Sequence, residues 1–139
     1  MAIKMRVLHT GKGKVAALAP MIHQEFGLDI NATDVIPPAY SCNNERLVVL
    51  LIATKGDLES KVRLFCRELT KARAQNVALV IDGNEAGAKT VKDILAEAGT
   101  NVKDEVFYVK SSFLPFLNSV KDEEKKAVLA WAHRIVDSL

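Results

Sequence analysis

The chain carries short runs of consecutive aliphatic residues, a pattern typical of strands that are buried on both faces. Residues 47–53 read LVVLLIA and residues 77–81 read VALVI. Unbroken runs of this kind are expected where helices cover both faces of a parallel sheet. Together with three less regular apolar segments they predict five strands: Met5–Leu8, Ile30–Ile36, Leu47–Ala53, Val77–Ile81 and Val106–Val109.

Between these segments, apolar residues recur at steps of three and four, the period of an amphipathic helix. Gly27 and Gly99 follow the first and third of these stripes as helix stops, and Pro20 is expected to kink the first helix. The acidic residues 122–124 precede the last stripe and suit the positive N-terminus of a helix. The stripes are Val15, Leu18, Ile22 and Phe26; Leu58, Val62, Phe65 (or Cys66) and Leu69; Val91, Ile94, Leu95 and Ala98; and Val128, Trp131, Ile135 and Leu139.

The resulting order, β-α-β-β-α-β-α-β-α, predicts an α/β fold with a doubly wound parallel sheet, in a single domain that spans residues 1–139. One connection is unusual. Residues 37–46 show no helical pattern, although a parallel crossover needs about a dozen residues or more. The link is therefore stretched, or the second strand is short or not parallel.

The composition of the chain argues against several classes of function. The chain is 49% apolar and 26% charged, which is typical of globular proteins, and its net charge of +2 is too even for an obligate nucleic-acid binder. Two cysteines make no disulfide scaffold, and three scattered histidines show no metal-ligand spacing. No apolar run reaches the about 20 residues of a membrane span, and the N-terminus does not resemble a signal peptide. We therefore expect a cytoplasmic protein that binds no metal, nucleic acid or membrane.

The loop after the first strand is the strongest candidate for an anion site. It reads His9, Thr10, Gly11, Lys12, Gly13, Lys14. Glycines let backbone N–H groups approach an anion, and the following helix presents its positive end. Phosphate or a phosphomonoester would suit this loop. The alternative is a tight strand-to-helix turn with solvated lysines.

The same loop also matches the dinucleotide pattern G-x-G-x-x-A through Gly11, Gly13 and Ala16. Asp34 follows Gly13 by 21 residues, where a ribose-binding acid is found in nicotinamide-dinucleotide sites. The pattern is not a Walker phosphate loop, because Val15 replaces the required serine or threonine. Asp34 can equally be a solvated strand residue, so dinucleotide binding is one alternative.

Two further loops follow strands whose carboxyl ends meet at the same edge, where ligands of open α/β sheets bind. The second loop is Thr54, Lys55, Gly56 and Asp57, of which Asp57 is expected to cap the following helix. The third spans residues 82–88 and includes Gly83, Asn84 and Gly87. This third loop can surround the edge of a ligand, or it can be a glycine-rich turn.

Three segments resemble the flavodoxin-like flavoproteins, and with the first strand and loop the resemblance extends over nearly the whole chain. Residues 47–69 (LVVLLIATKGDLESKVRLFCREL) are similar to that family's third strand, ligand loop and helix. Residues 77–102 (VALVIDGNEAGAKTVKDILAEAGTNV) are similar to its fourth strand, loop and helix. Residues 110–136 (KSSFLPFLNSVKDEEKKAVLAWAHRIV) are similar to its closing segment. The resemblance implies a three-layer fold with strand order 2-1-3-4-5, in which the helix between strands two and three is missing or reduced.

The resemblance also implies FMN as cofactor and electron transfer to or from a redox partner protein, so we expect an electron carrier or binding domain rather than a stand-alone enzyme. In that family a T-x-T-G-x-T loop holds the FMN phosphate. Thr10 and Gly11 match its T-G, Gly13 replaces the later threonine, and Lys12 or Lys14 would compensate. The second and third loops would flank the flavin ring, where their acids would disfavour a reduced anionic flavin.

These two loops contain no aromatic residue, although the family often has Trp or Tyr there. Tyr40 and the segment with Phe113 and Phe116 are candidate replacements, and packing against the sheet is the other interpretation of that segment. The alternative function is a flavin-free module of the same fold that binds a phosphorylated ligand or a protein partner.

Overall fold

One parallel sheet forms the centre of the molecule in a computed structural model, which describes residues 4–27, 30–54, 58–112, 114 and 118–139. The sheet order is β2-β1-β3-β4, and β5 and β6 both pair with β4 at the other edge. Every pairing is parallel. The strands of the described part are β1 (Met5–His9), β2 (Ile30–Val35), β3 (Leu47–Ala53), β4 (Asn76–Asp82), β5 (Asn101–Val102) and β6 (Phe107–Val109).

Helices cover both faces of this sheet, as the aliphatic runs predicted. They are α1 (Gly13–Phe26), α2 (Ser60–Arg67), α3 (Glu85–Ala98) and α4 (Asp122–Asp137). One core cluster joins α1 and α4 to one face of the sheet, and a second joins α2 and α3 to the other. Because no face of β3 meets water, its residues from Leu47 to Ile52 are all buried. The predicted doubly wound α/β fold is confirmed.

The predicted glycine stops are also confirmed. Gly27 follows α1 with a φ of +56° and donates its N–H to the carbonyl of His23. Gly99 follows α3 in the left-handed conformation and donates its N–H to the carbonyls of Leu95 and Ala96. Glycine adopts these positive φ values without the steric penalty of a side chain, so each helix ends at the residue before it.

The fifth predicted strand, Val106–Val109, is observed as β6. A further strand of two residues, β5, precedes it on the same edge of β4 and was not predicted. Between them the Trp131 indole N–H of α4 donates to the carbonyl of Glu105 at 2.8 Å. The Phe107 ring packs beside the Trp131 ring at 6.1 Å. The chain between the two short strands is thus bound by α4 as well as by the sheet, where the Lys103 N–H donates to the carbonyl of Val77 at 2.8 Å.

The start of α2 differs from the prediction. Glu59 is the N-cap residue of this helix, and its side chain makes no capping hydrogen bond. Asp57 was expected to be the cap, but it stands three residues before Ser60, so that expectation is wrong. Asp57, with Lys55 and Gly56, lies outside the described residues. Leu58 and Leu69 are buried as the pattern required, but they lie outside the helix on either side of it.

The helix-free link between β2 and β3 crosses the same face as α2 and α3. Strand β2 is parallel to β1, so the link is the stretched connection that the sequence left as one alternative. Two of its apolar side chains, Ile36 and Cys42, are buried in the core cluster of that face. Arg6 of β1 is only 5% exposed, and its Nη1 donates to the carbonyl of Tyr40 at 2.7 Å. The guanidinium thereby fixes the link where a helix would otherwise lie.

We predict that Arg6→Met loosens this link. The variant removes a charge-assisted hydrogen bond, so the free energy of unfolding should fall by about 1–3 kcal/mol. Hydrogen exchange of residues 37–44 should become faster while that of β3 changes little. Arg46→Met is the matched control, because Arg46 belongs to the same link and is exposed. Equal exchange in both variants would contradict the role of Arg6.

A second prediction concerns Cys66, which is fully buried. Burial raises the pKa of its thiol from the ordinary value of 9.0 to about 12. Above pH 9 the thiol therefore ionises in the unfolded chain before it does so in the folded one. Stability should fall with rising pH by at most about 1.4 kcal/mol per pH unit from this group. Chemical denaturation of Cys66→Ala between pH 9 and 11 should show a shallower decline than wild type; parallel declines would refute the assignment.

Candidate functional site

A cleft of about 590 Å³ lies at the carboxyl ends of β3, β4 and β6. It contains four residues that the sequence predicted for ligand binding: Thr54 from the second loop, and Gly83, Asn84 and Gly87 from the third. The topology of a parallel sheet brings these two loops to one edge, as expected. The residues that line the cleft are Thr54, Asp82, Gly83, Asn84, Ala86, Gly87, Thr90, Lys110 and Ser111.

The two glycines of the third loop accommodate the Thr54 side chain. Thr54 follows β3, and its backbone N–H donates to the carbonyl of Asp82 at 3.1 Å. A Cβ atom at either Gly83 or Gly87 would collide with the Thr54 hydroxyl, and one at Gly87 would lie 2.7 Å from the Thr54 Cβ. The glycines therefore permit a close contact between two neighbouring loops.

Asn84 is the N-cap residue of α3. Its side-chain oxygen accepts a hydrogen bond from the backbone N–H of Gly87 at 3.1 Å. This is the usual role of asparagine at the start of a helix. Asn84 therefore has a structural role in the protein. From the sequence it was predicted only as a ligand-binding residue.

Asp82 and Ser111 form the inner wall of the cleft. Asp82 ends β4 and is 8% exposed. One of its carboxylate oxygens accepts the backbone N–H of Ser111 at 2.9 Å, and the other accepts the Ser111 hydroxyl at 2.5 Å. The sequence analysis missed Ser111. The only signal was an acidic residue directly after a fully aliphatic strand, because such a carboxylate needs donors from elsewhere in the chain.

Ser111 also reaches the first turn of α1. Its hydroxyl oxygen accepts the backbone N–H of Lys14 at 2.9 Å. Gly13 has a φ of +67°, and a Cβ atom there would lie 2.6 Å from the Ser111 oxygen. The Lys14 ammonium lies 3.1 Å from a carboxylate oxygen of Glu124 in α4. Lys14, predicted as an anion ligand, is thus bound within the protein through both its backbone and its side chain.

The rest of the first loop joins β1 to its neighbours. The Thr10 hydroxyl accepts the backbone N–H of Ala53, and the Thr10 N–H donates to Leu51, both at 3.1 Å. Gly11, with a φ of +87°, donates its N–H to Nδ1 of His9 at 3.0 Å. Lys12 precedes α1 as its N-cap residue and is exposed. Of the two lysines, Lys12 is therefore the one that faces solvent at this loop.

His9 of β1 and Asp34 of β2 are one register position apart, because His9 pairs with Val35 and Asp34 pairs with Leu8. Burial lowers the pKa of His9, and the charge of Asp34 opposes this shift. The carboxylate of Asp34 accepts the backbone N–H groups of Ala39 and Val35, and these bonds lower the pKa of Asp34. Asp34 is therefore an ionised residue bound to its own turn, which disfavours the dinucleotide interpretation of this acid.

Tyr40, the candidate replacement aromatic that the structure describes, does not line the cleft. Tyr40 is 82% exposed on the helix-free link, where Arg6 binds its carbonyl. Phe113 and Phe116 lie outside the described residues. Asn118 binds Ser112 in both directions, accepting its N–H at 2.6 Å and donating to its carbonyl at 2.9 Å. This pair of bonds closes the base of the segment between residues 112 and 118.

The described residues contain no group of three or more His, Cys, Asp or Glu side chains that could hold a metal ion. None of the described helices has the length and apolar character that crossing a membrane requires.

Three solved structures share this arrangement of elements over nearly their whole length. The chain is similar to the flavodoxin of Streptococcus pneumoniae with a TM-score of 0.69 at 14% identity, over 99% of this chain and 100% of that one. It is similar to a short-chain flavodoxin associated with a non-canonical PDU bacterial microcompartment, with a TM-score of 0.65 at 15% identity and 99% of both chains covered. A flavodoxin from the domain Archaea has a TM-score of 0.53 at 11% identity, over 96% and 99%.

No family model and no curated protein matches the sequence. The structural similarity and the sheet order together define a doubly wound α/β protein with the flavodoxin-like fold. This confirms the fold that the resemblance implied.

We predict that Gly87→Ala destabilises the protein, although alanine is the better helix former by about 1 kcal/mol. The added Cβ collides with Thr54, and relief of that overpacking should cost about 1–3 kcal/mol of unfolding free energy. Thr54→Gly removes the colliding atoms, so Gly87→Ala should be neutral or stabilising in that background. A double-mutant cycle by chemical denaturation measures the coupling. Additive effects would mean that Thr54 and Gly87 do not interact.

Proposed function

We propose that the protein binds FMN at the carboxyl ends of the strands and carries electrons to or from a redox partner protein. The observation that carries the proposal is a ligand-sized cleft at the carboxyl edge of a flavodoxin-like sheet, with the glycine–lysine loop on the other side of the wall formed by Asp82 and Ser111. Ligand clefts typically measure about 300–1,000 Å³, and this one measures about 590 Å³. The wall formed by Asp82 and Ser111 separates it from the N-terminus of α1.

The residue types at this edge of the sheet suit the phosphate and the ring of FMN. Gly11, Lys12 and Gly13 would hold the phosphate, because their loop is exposed and leads into a helix N-terminus. Thr54, Gly83 and Asn84 would lie against the flavin ring, because they line the cleft. Bound FMN would supply reversible uptake of electrons.

The charges beside the cleft would tune that electron transfer. Asp82 lines the cleft, and Glu85 occupies the first turn of α3 next to it. Negative groups near a flavin raise the free energy of states in which the ring carries additional negative charge. These residues would therefore lower the tendency of the cofactor to accept electrons.

A flavin-free module that binds a phosphorylated ligand is the second candidate. It is favoured by the lining of the cleft, which includes no aromatic side chain in the described residues. A flavin in this cleft would rest on backbone and small polar groups, without the stacking energy of an aromatic pair. The exposed lysine and the glycine loop would serve either ligand.

The test is a titration of FMN and riboflavin into the colourless, refolded protein, followed by flavin fluorescence. We expect FMN fluorescence to be quenched on binding. Lys12→Ala should weaken FMN binding severalfold but leave riboflavin binding unchanged, because riboflavin lacks the phosphate. Lys126→Ala is the control, because Lys126 is an exposed lysine of α4. If neither flavin responds to the protein, flavin binding is refuted, and the phosphorylated-ligand candidate is tested with inorganic phosphate.

A further inference from the structure

The Ser111 hydroxyl accepts one of the backbone N–H groups at the start of α1. Backbone N–H groups at the start of a helix have no partner within the helix, and they are the donors that bind phosphate at such loops. At the start of α1, the Lys14 N–H already donates to Ser111 at 2.9 Å. One donor of the proposed phosphate loop is thus bound by a side chain of the same protein.

Asp82 orients this hydroxyl. The Ser111 proton is donated to one carboxylate oxygen of Asp82, and the Ser111 backbone N–H binds the other. The lone pairs of the hydroxyl oxygen are therefore left to accept the Lys14 N–H. The buried negative charge also lies close to the positive end of α1, where it interacts favourably with the helix dipole. A phosphate at the loop would meet the repulsion of that carboxylate.

Gly13 makes the approach of Ser111 sterically feasible. A Cβ atom at position 13 would lie 2.6 Å from the Ser111 oxygen and 3.4 Å from a carboxylate oxygen of Asp82. Gly13 also has a positive φ, which disfavours other residues. Gly13, which resembles part of a phosphate loop, therefore leaves room for the Ser111 side chain that binds the start of α1.

We propose that Ser111 limits the affinity of this loop for phosphate, because its hydroxyl competes with a phosphate oxygen for the Lys14 N–H. The phosphate group of FMN gains this donor only when Ser111 moves away from α1. The proposal rests on the phosphate position given under the proposed function and adds a residue that sets the affinity there. Inorganic phosphate presents the same chemistry without the flavin.

The experiment compares wild type with Ser111→Ala and with Ser119→Ala, a matched control at an exposed serine of the same connection. Each protein is titrated with FMN, riboflavin and inorganic phosphate, and the amide resonance of Lys14 is followed by NMR. In Ser111→Ala the Kd for FMN should fall about tenfold, the value of one hydrogen bond. Any change in riboflavin affinity should be much smaller than the change for FMN, because riboflavin lacks the phosphate, and phosphate should shift the Lys14 amide at lower concentrations.

Asp82→Asn is the second variant, in case Ser111→Ala, which removes the hydroxyl donor to the buried Asp82 carboxylate, fails to fold. It keeps the Ser111 hydroxyl but removes the negative charge, so its Kd for FMN and phosphate should also fall. Chemical denaturation of each variant establishes that it is folded under the assay conditions.

The outcomes separate this inference from the proposed function. If wild type binds FMN and neither Ser111→Ala nor Asp82→Asn binds it more tightly, the competition is refuted and flavin binding stands. If no protein binds flavin but phosphate shifts the Lys14 amide more readily in Ser111→Ala, the competition stands and flavin binding is refuted. If no ligand shifts the Lys14 amide in any of the proteins, both proposals are overturned.

Discussion

The buried carboxylate of Asp82 is the group on which the arrangement of the carboxyl edge depends. Asp82 ends the central strand β4 and is 8% exposed, and an ionised carboxylate at such a position requires hydrogen-bond donors. Ser111 supplies donors to both of its oxygens. Because the same hydroxyl accepts the Lys14 N–H, one side chain joins β4, the segment after β6 and the start of α1. The positions of the cleft and of the first loop follow from this connection.

On the opposite face of the sheet, a polar side chain likewise holds a segment that forms no helix. The link between β2 and β3 has no helix, and Arg6 from β1 binds its backbone at Tyr40. Arg6 is itself nearly buried, and its Nε has no hydrogen-bond partner among the described residues. A charged residue on an inner strand is tolerated here because its Nη1 is hydrogen-bonded and the link covers it. Both features show polar residues of the strands fixing the segments that cross over them.

The sequence was sufficient for the fold because the fold depends on local patterns. The run LVVLLIA predicted a strand covered on both faces, and glycines at 27 and 99 predicted where α1 and α3 end. The order of elements then required a parallel sheet. Of the residues that line the candidate cleft, the sequence analysis predicted those in the loops that follow β3 and β4, whereas the loop after β1 does not line it. The contacts at this edge join residues that are distant in sequence: Lys14 and Ser111 are 97 residues apart. No periodicity or short motif encodes which distant hydroxyl approaches a given glycine.

The position of Trp131, beside the break between β5 and β6, has a consequence for spectroscopy. Trp131 is the one tryptophan of the sequence, and its indole binds Glu105, which precedes β6. The cleft lies beyond the other end of β6, at Lys110 and Ser111. Intrinsic tryptophan emission therefore originates at the amino end of the edge strand, away from the ligand edge. It reports the docking of α4 on the sheet, so folding and ligand occupancy are observable through separate optical signals in the unmodified protein.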